Sequence, residues 1–395
     1  MLHKRDGEVS IVSLSHSLEV KLQPGEKACL ARKWPVDYRT LVQFDNWWMG
    51  MAVKHRGRHY IRRTPRNSPV ALTQSRRYML QQDQVDRSLR PRIAEKISLD
   101  PDQRSEQATH AILHECVEQI AANIMVVRSV ADPEGPHQLR IGLRRLRSAF
   151  AALSSALRSP EMTRLGEEAR WLGRQVGRLR DLDVVASEIV PREAKADPRQ
   201  PGFPKLADSI RCEVSKRRED LRTLLAGVRG QAFLDDLTQF VERPGWHGEK
   251  SFYHSRELAI PVSKLARKAL TKSWNKARKR GRGIKSLGAE QRHELRKALK
   301  KLRYTVEFFS SLYRTKDVKR FSARLKKLQK LCGDVNDAAM VKAMLSDNGA
   351  FSDADPQRQR AMGWVIGANQ VRAAFGWNGA KGQWRKLKKS QPFWE

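Results

Sequence analysis

The sequence predicts a mainly α-helical fold in which one helical hairpin occurs twice, preceded by a small α/β or β-rich segment. Three observations predict it. The phrase HQLRIGLRRLR at 137–147 returns as HELRKALKKLR at 293–303. From about Ser105 onward, apolar residues recur at helical spacing. Residues 1–97 instead carry short alternations such as HSLEVKL, the turn signal QPGE and the pair Trp47 and Trp48, the pattern of a few strands with at most one helix.

The elements follow in order. TPRNSP (Thr64–Pro69) breaks any regular element, and SLDPDQ, near residue 100, reads as a linker or a helix start. SEQATHAILHECVEQIAANIMVV is an amphipathic helix. DPEGP (Asp132–Pro136) is a turn, and the His137 helix follows it. PREAKADPRQPGFPK (Pro191–Lys205) reads as a Pro-rich loop. Long helical patterns resume after it, with breaks near RPGWHG, KRGRGIKSLG and SDNGAFSDADP. The expected organisation is an N-terminal segment, 1–97, and a helical domain, 98–395, whose halves span about 105–245 and 255–394.

The repeat is the strongest signal. A shift of 156 residues takes His137 to His293, Arg140 to Arg296, Arg144 to Lys300 and Arg147 to Arg303. The register holds without a gap through Leu172 and Leu328, Gly177 and Gly333, and Asp181 and Asp337. Two copies of one hairpin would pack about a pseudo-twofold axis.

A helix turns about 100° per residue, so His137, Arg140, Arg144 and Arg147 share a stripe about 80° wide and roughly 15 Å long. Leu139, Leu143, Leu146, Phe150 and Leu153 form a separate apolar stripe. The second copy repeats both, with His293, Arg296, Lys300 and Arg303 on one and Leu295, Leu299, Leu302, Val306 and Phe309 on the other. Like charges one turn apart destabilise a helix. Between Val262 and Arg303 there are 16 Lys or Arg and only Glu290 and Glu294 to relieve them. A solvated face usually mixes signs, so a duplicated one-sign stripe points to a polyanion that neutralises it. Arg offers forked contacts to phosphate oxygens, and Lys a mobile charge. Each histidine sits at the start of its helix, where free N–H groups and the positive dipole end suit an anion. Asp181 and Asp337 read as helix-end caps, as salt-bridge partners of an interior Arg, or as residues that orient an Arg of the stripe.

Composition agrees. The 395 residues carry 77 Lys and Arg against 43 Asp and Glu, a net charge of +34. Such an excess repels itself and calls for a polyanionic partner. A 40% apolar content is enough for a core and excludes a disordered basic tail. No apolar run reaches the ~20 residues of a membrane span, and the N-terminus lacks the pattern of a secretory signal. Cys29, Cys116, Cys212 and Cys332 form no CxxC and read as reduced packing residues of a cytosolic protein. His110 and His114 are spaced for zinc, but no third ligand or zincin glutamate accompanies them, and helix-face histidines are the better reading. No phosphate-binding glycine loop or nucleophile elbow occurs. Trp384 and Trp394 are expected to pack the last helix.

HQLRIGLRRLRSAF and HELRKALKKLRYTVEFF, followed by GRLRDLDV and LCGDVNDAAM, resemble the conserved histidine α-helical domain, or CHAD, and WRKLKKSQPFW resembles that family's end. The resemblance covers about residues 100–395. It implies two four-helix bundles related by pseudo-twofold symmetry, with a basic groove or pore between them that binds inorganic polyphosphate. The residues it assigns are His137, Arg140, Arg144, Arg147, His293, Arg296, Lys300 and Arg303, with Arg218 and Lys330 as additional lining. It implies a binding or granule-targeting module in the cytoplasm, with no catalytic residue, metal or cofactor. Cys332 departs from the family's usual leucine, which predicts a packing adjustment. Many such domains follow a CYTH triphosphate tunnel, whose mark is Glu-x-Glu-x-Lys. Here Ser17-Leu-Glu19-Val-Lys21 lacks the first Glu, VKHRGRHY (Val53–Tyr60) only faintly resembles a late barrel strand, and no carboxylate cluster for a metal accompanies them. Residues 1–97 therefore read as a truncated CYTH-like remnant or an unrelated small domain, and not as a working triphosphatase. The competing reading of the charge is nonspecific nucleic-acid binding, although no helix-turn-helix, RNA-recognition or zinc-finger signature is present.

Overall fold

The computed structural model describes residues 89–242, 252–346, 351 and 355–395, and four short strands near the N-terminus. The strands belong to a unit spanning Met1–Met79. β1 (Leu2–Arg5) pairs antiparallel with β2 (Glu8–Ile11), and β3 (Val53–His55) with β4 (Arg58–Tyr60). The VKH and RHY parts of the VKHRGRHY phrase thus pair as antiparallel strands. The Ser17–Lys21 phrase, Cys29, Trp47 and Trp48 lie outside the described residues.

The second unit, Leu80–Glu395, is helical. Its first half holds α1 (Ser105–Ser129), α2 (Glu134–Ala152), α3 (Ser154–Leu157), α4 (Pro160–Val184), α5 (Val190–Ala196), α6 (Gly202–Ala226) and α7 (Val228–Glu242). Its second half holds α8 (Phe252–Ala259), α9 (Val262–Arg280), α10 (Ala289–Phe308), α11 (Thr315–Ser346), α12 (Pro356–Asn378) and α13 (Ala380–Lys388). The 156-residue shift carries α1, α2, α4 and α6 onto α9, α10, α11 and α12. The packing order repeats too. α1 lies on α2, α2 on α4 and α4 on α6, as α9 lies on α10, α10 on α11 and α11 on α12.

Three places show where the two halves meet, and at each a residue lies against its own repeat counterpart or that counterpart's neighbour. The Ser105 N–H and hydroxyl both donate to the Ile260 carbonyl, beside Pro261. Arg144 lies beside Lys300. Gly202 lies so close to Gln357 and Ala361, either side of Arg358, that a Cβ there would run into the Gln357 carbonyl. These contacts mark a pseudo-twofold axis passing through the crossing of α2 and α10.

The apolar stripes explain the assembly. Leu139, Leu143, Leu146, Phe150 and Leu153 are buried, as are Leu295, Leu299, Leu302, Val306 and Phe309, and all ten join one core shared by both halves. A smaller core joins the last turns of α4 and α11 to α6 and α12, through Leu182, Val185, Leu206, Val341, Met362 and Val365. The aromatic C-terminus closes the larger core. Trp394 and Trp384 are buried, and Trp394 meets Phe321 and Phe393 edge-on. Residues before α1 belong to this unit as well: Arg92 ion-pairs with Glu115 and Glu118, and Leu99 is buried in the core.

Three local expectations are corrected. Both ends of the expected loop Pro191–Lys205, namely Pro191–Ala196 and Gly202–Lys205, are helix. A π-turn, Val185–Ile189, shifts the register, so Pro191 falls in the first turn of α5, where a missing N–H is tolerated. Helix α2 starts at Glu134, inside the anticipated turn, and Pro136 is tolerated in that first turn for the same reason. Cys212 is exposed, whereas Cys116 and Cys332 are buried.

Candidate anion-binding site

The basic stripes lie beside the buried leucines on α2 and α10, so burial of the leucines sets the direction of the cations. Where the helices cross, Arg140 and Arg144 from α2 come to Arg296, Lys300 and Arg303 from α10. All five are half-buried. Burial, then the charges of Arg144, Arg296, Arg140 and Arg303, push the Lys300 ammonium down to about 6 from its ordinary 10.5. Burial lowers Arg296 as well, against the pull of Asp337.

Two carboxylates stand behind this group, as the repeat suggested. Arg140 Nη1 donates to Asp181 Oδ1 at 2.6 Å and to the Gly177 carbonyl at 3.1 Å. Asp337 faces Arg296. The halves then differ: Arg296 Nε and Arg303 Nε are buried donors that meet no acceptor. Tyr304, fully buried, holds the crossing from beneath. Its hydroxyl accepts from Arg144 Nε at 2.8 Å, and its ring lies under Arg303, 4.6 Å from guanidinium carbon to centroid.

His137 adjoins the group, and several other anticipated residues stand elsewhere. His137 is half-buried beside Arg180, Glu134, Arg144 and Arg140, and burial followed by Arg180 lowers its pKa against the pull of Glu134. Its N–H donates to the Pro133 carbonyl. The Glu134 and Gly135 N–H groups are taken by Asp132, so the N-terminus of α2 holds no free amide for an anion. His293 is the fifth residue of α10 and is exposed. Arg147 turns toward Arg170 and Arg174 of α4. Arg218 is buried against Asp183 Oδ1 at 3.3 Å and the Asp132 carbonyl at 3.3 Å, which ties α4 to the turn before α2. Its guanidinium is therefore a strut behind the group. Lys330 is exposed on α11.

The sequence reading missed Tyr304, Arg180 and Arg145. Arg145 is 1% exposed and bonds Gln119 Oε1 at 2.8 Å, and its Nε lies 3.0 Å from Glu307 Oε1, which pins α2 to α10. The basic phrase contained a signal for it. Arg145 lies midway between the basic and the apolar stripes of its helix wheel, at the edge of the packed face, and a cation buried there requires a partner. His110 and His114 stack with ring centroids 5.7 Å apart, and His114 Nε2 lies 3.9 Å from Glu242. Among the described residues no group of three or more His, Cys, Asp or Glu could hold a metal. No helix among them is long and apolar enough to cross a membrane.

The CHAD domain family model matches residues 111–346. The chain belongs to the CHAD family. The solved CHAD domain from the plant Ricinus communis shares 25% identity and a TM-score of 0.65, with 76% of this chain and 98% of that one covered. PptA from Streptomyces chartreusis matches at 12% identity and a TM-score of 0.51, over 72% of this chain and all of its own, which is a likeness of fold alone. No curated protein gives a significant match. The matched residues of this CHAD domain include both crossing helices and both carboxylates, and exclude residues 1–110.

Proposed function

We propose that this CHAD domain binds inorganic polyphosphate at the α2–α10 crossing, in a basic groove between the two halves, as a non-catalytic binding or granule-targeting module of the cytoplasm. One observation carries the reading. Five basic side chains from two copies of one helix are held together, half-buried, and burial with the neighbouring charges pushes Lys300 down to about 6. Folding works against such an arrangement unless a ligand repays it by neutralising the charges. The half-buried guanidinium groups of Arg296 and Arg303 suit oxygen acceptors. A thin, densely charged chain suits them, because the cations are half-buried where two helices cross. The site has donors for phosphate but no carboxylate cluster for a metal, which favours binding over hydrolysis. CHAD relatives are in general binding modules.

The test is the double variant Arg144→Gln and Arg296→Gln. Removing two charge-assisted contacts, each worth about 1.5–3 kcal/mol, should weaken polyphosphate binding by roughly a hundredfold or more. The circular dichroism spectrum should not change. Undiminished binding would refute the proposal. The net charge of +34 supports a second reading, nonspecific nucleic-acid binding. The base-edge readers Asn and Gln are absent from the group.

A further inference from the structure

Helix α12 has two apolar faces, and the fold uses one of them. Ala361, Met362 and Val365 are buried in the smaller core, against α11 and α6. On the outer side Trp364 is 42% exposed, Val371 56% and Phe375 73%. At about 100° per residue these three fall within about 40° of one another, with Ala368 beside them, along about 17 Å of helix. Arg372 is the one charged residue between Ala361 and Asn378, in a chain that is 30% charged. It is engaged by Glu193 Oε1 at 2.9 Å. The outer face is therefore apolar and without a free charge. It lies beyond residues 111–346, which the family model matches.

The repeat shows that this face is a departure. The 156-residue shift sets Trp364 on Asp208, Gly367 on Arg211, Val371 on Ser215 and Phe375 on Glu219. Those four residues of α6 are exposed, and Asp208 pairs with Arg211 and Glu219 with Arg222, as on a solvated helix face. The same face of α12 carries none of these charges. Gly363 and Gly367 point the same way. A Cβ on either would meet no other heavy atom within 4 Å among the described residues. The chain's own packing thus does not require glycine there, although glycine weakens a helix interior.

We propose that the outer face of α12 is a self-association surface, on which a second copy of the chain docks its own α12 antiparallel about a twofold axis. The stripe is self-complementary in that arrangement. An axis midway between Asn369 and Gln370 sets Trp364 against the partner's Phe375 and Ala368 against the partner's Val371. Ring meets ring at each end, and a small residue meets a branched one at the centre, where the helix axes can approach to about 8–10 Å. The area is sufficient. The three large side chains, with Ala368 and the glycines, leave about 400 Å² of apolar surface on each copy. At the roughly 65% apolar character of homodimer interfaces, two such patches form an interface of about 1,200 Å², the lower end of the range for specific pairs. Charge favours a second copy over an acidic protein, which would be drawn to the basic surface elsewhere and find no cation free on this face. Two copies at +34 each repel, so the pair is weak at low salt and tightens as salt screens the repulsion. None of this depends on what the central group binds.

The experiment is sedimentation velocity of the full chain over a wide concentration range, at low and at high salt and free of polyanion, beside the double variant Val371→Ser and Phe375→Ser. Both substituted side chains are exposed, so the circular dichroism spectrum and the thermal midpoint of the dilute protein should be kept. The expected result is a monomer–dimer equilibrium that tightens as salt rises, and at least a tenfold weakening, on the order of a lost interface anchor, in the variant. A monomer at every concentration and salt would overturn the proposal. So would a dimer that the variant forms equally well, because the contact would then lie elsewhere. A dimer that dissolves as salt rises would also overturn it, since that is the behaviour of copies bridged by a polyanion.

Discussion

Lys300 shows what a half-buried lysine costs the fold that carries it. It lies beside its repeat counterpart Arg144 and faces Arg140, Arg296 and Arg303, with Asp337 and the buried Cys332 thiol near it from α11. Its folded pKa, about 6, is below its ordinary 10.5. Between those values the unfolded chain holds a proton that the folded chain lacks, so this residue's destabilisation is full below about 6 and fades as pH rises toward 10.5. Lys300→Met should therefore raise the thermal midpoint, more at pH 6 than at pH 9.5, while weakening polyphosphate binding. A lowered midpoint would contradict this. A polyanion reverses the balance and restores the proton. Affinity should rise as pH falls from 8 to 6, with proton uptake visible by calorimetry in buffers of different ionisation enthalpy. Helical periodicity was enough to put Lys300 on one face with Arg296 and Arg303. It could not show that Arg147 and Arg218 turn away, because a helix wheel omits what lies across from it: Arg170 for one, Asp183 for the other.

At the scale of elements, two joints hold the crossing helices at a fixed spacing. Arg145 reaches from α2 to Glu307 of α10, and Gly202 lets α6 close on α12. Glu307→Ala leaves the buried guanidinium with Gln119 and the more distant Glu115, and should cost about 1–3 kcal/mol, measured by denaturant unfolding. Gly202→Ala should cost a similar amount, about 1–3 kcal/mol, because the added methyl meets backbone and no side chain can move aside. Turn signals and the repeat made the long helices legible. The π-turn before Pro191 and the early start of α2 were not, since both depend on which backbone N–H groups can go without a partner. Gly202 was also hidden, because a glycine required by a close helix approach looks in sequence like one in a loop.

At the scale of the molecule, duplication and charge are one fact. Contacts between residues and their own counterparts, at Ser105, Arg144 and Gly202, place the axis through the crossing, so a basic stripe on one hairpin is brought against its copy. The repeat made that symmetry readable in advance, but not where it breaks. Asp181 closes on Arg140 while Arg296 keeps a free Nε, and Lys301 is open where Arg145 is sealed. The central claim is that this basic group is fitted to a thin phosphate chain and is not a general surface for anions. The most direct test is a competition titration near physiological salt. Labelled long-chain polyphosphate is bound first, then displaced by unlabelled polyphosphate or by duplex DNA at equal phosphate concentration. The account predicts displacement by polyphosphate, with DNA weaker by at least tenfold. Equal displacement by DNA would contradict it.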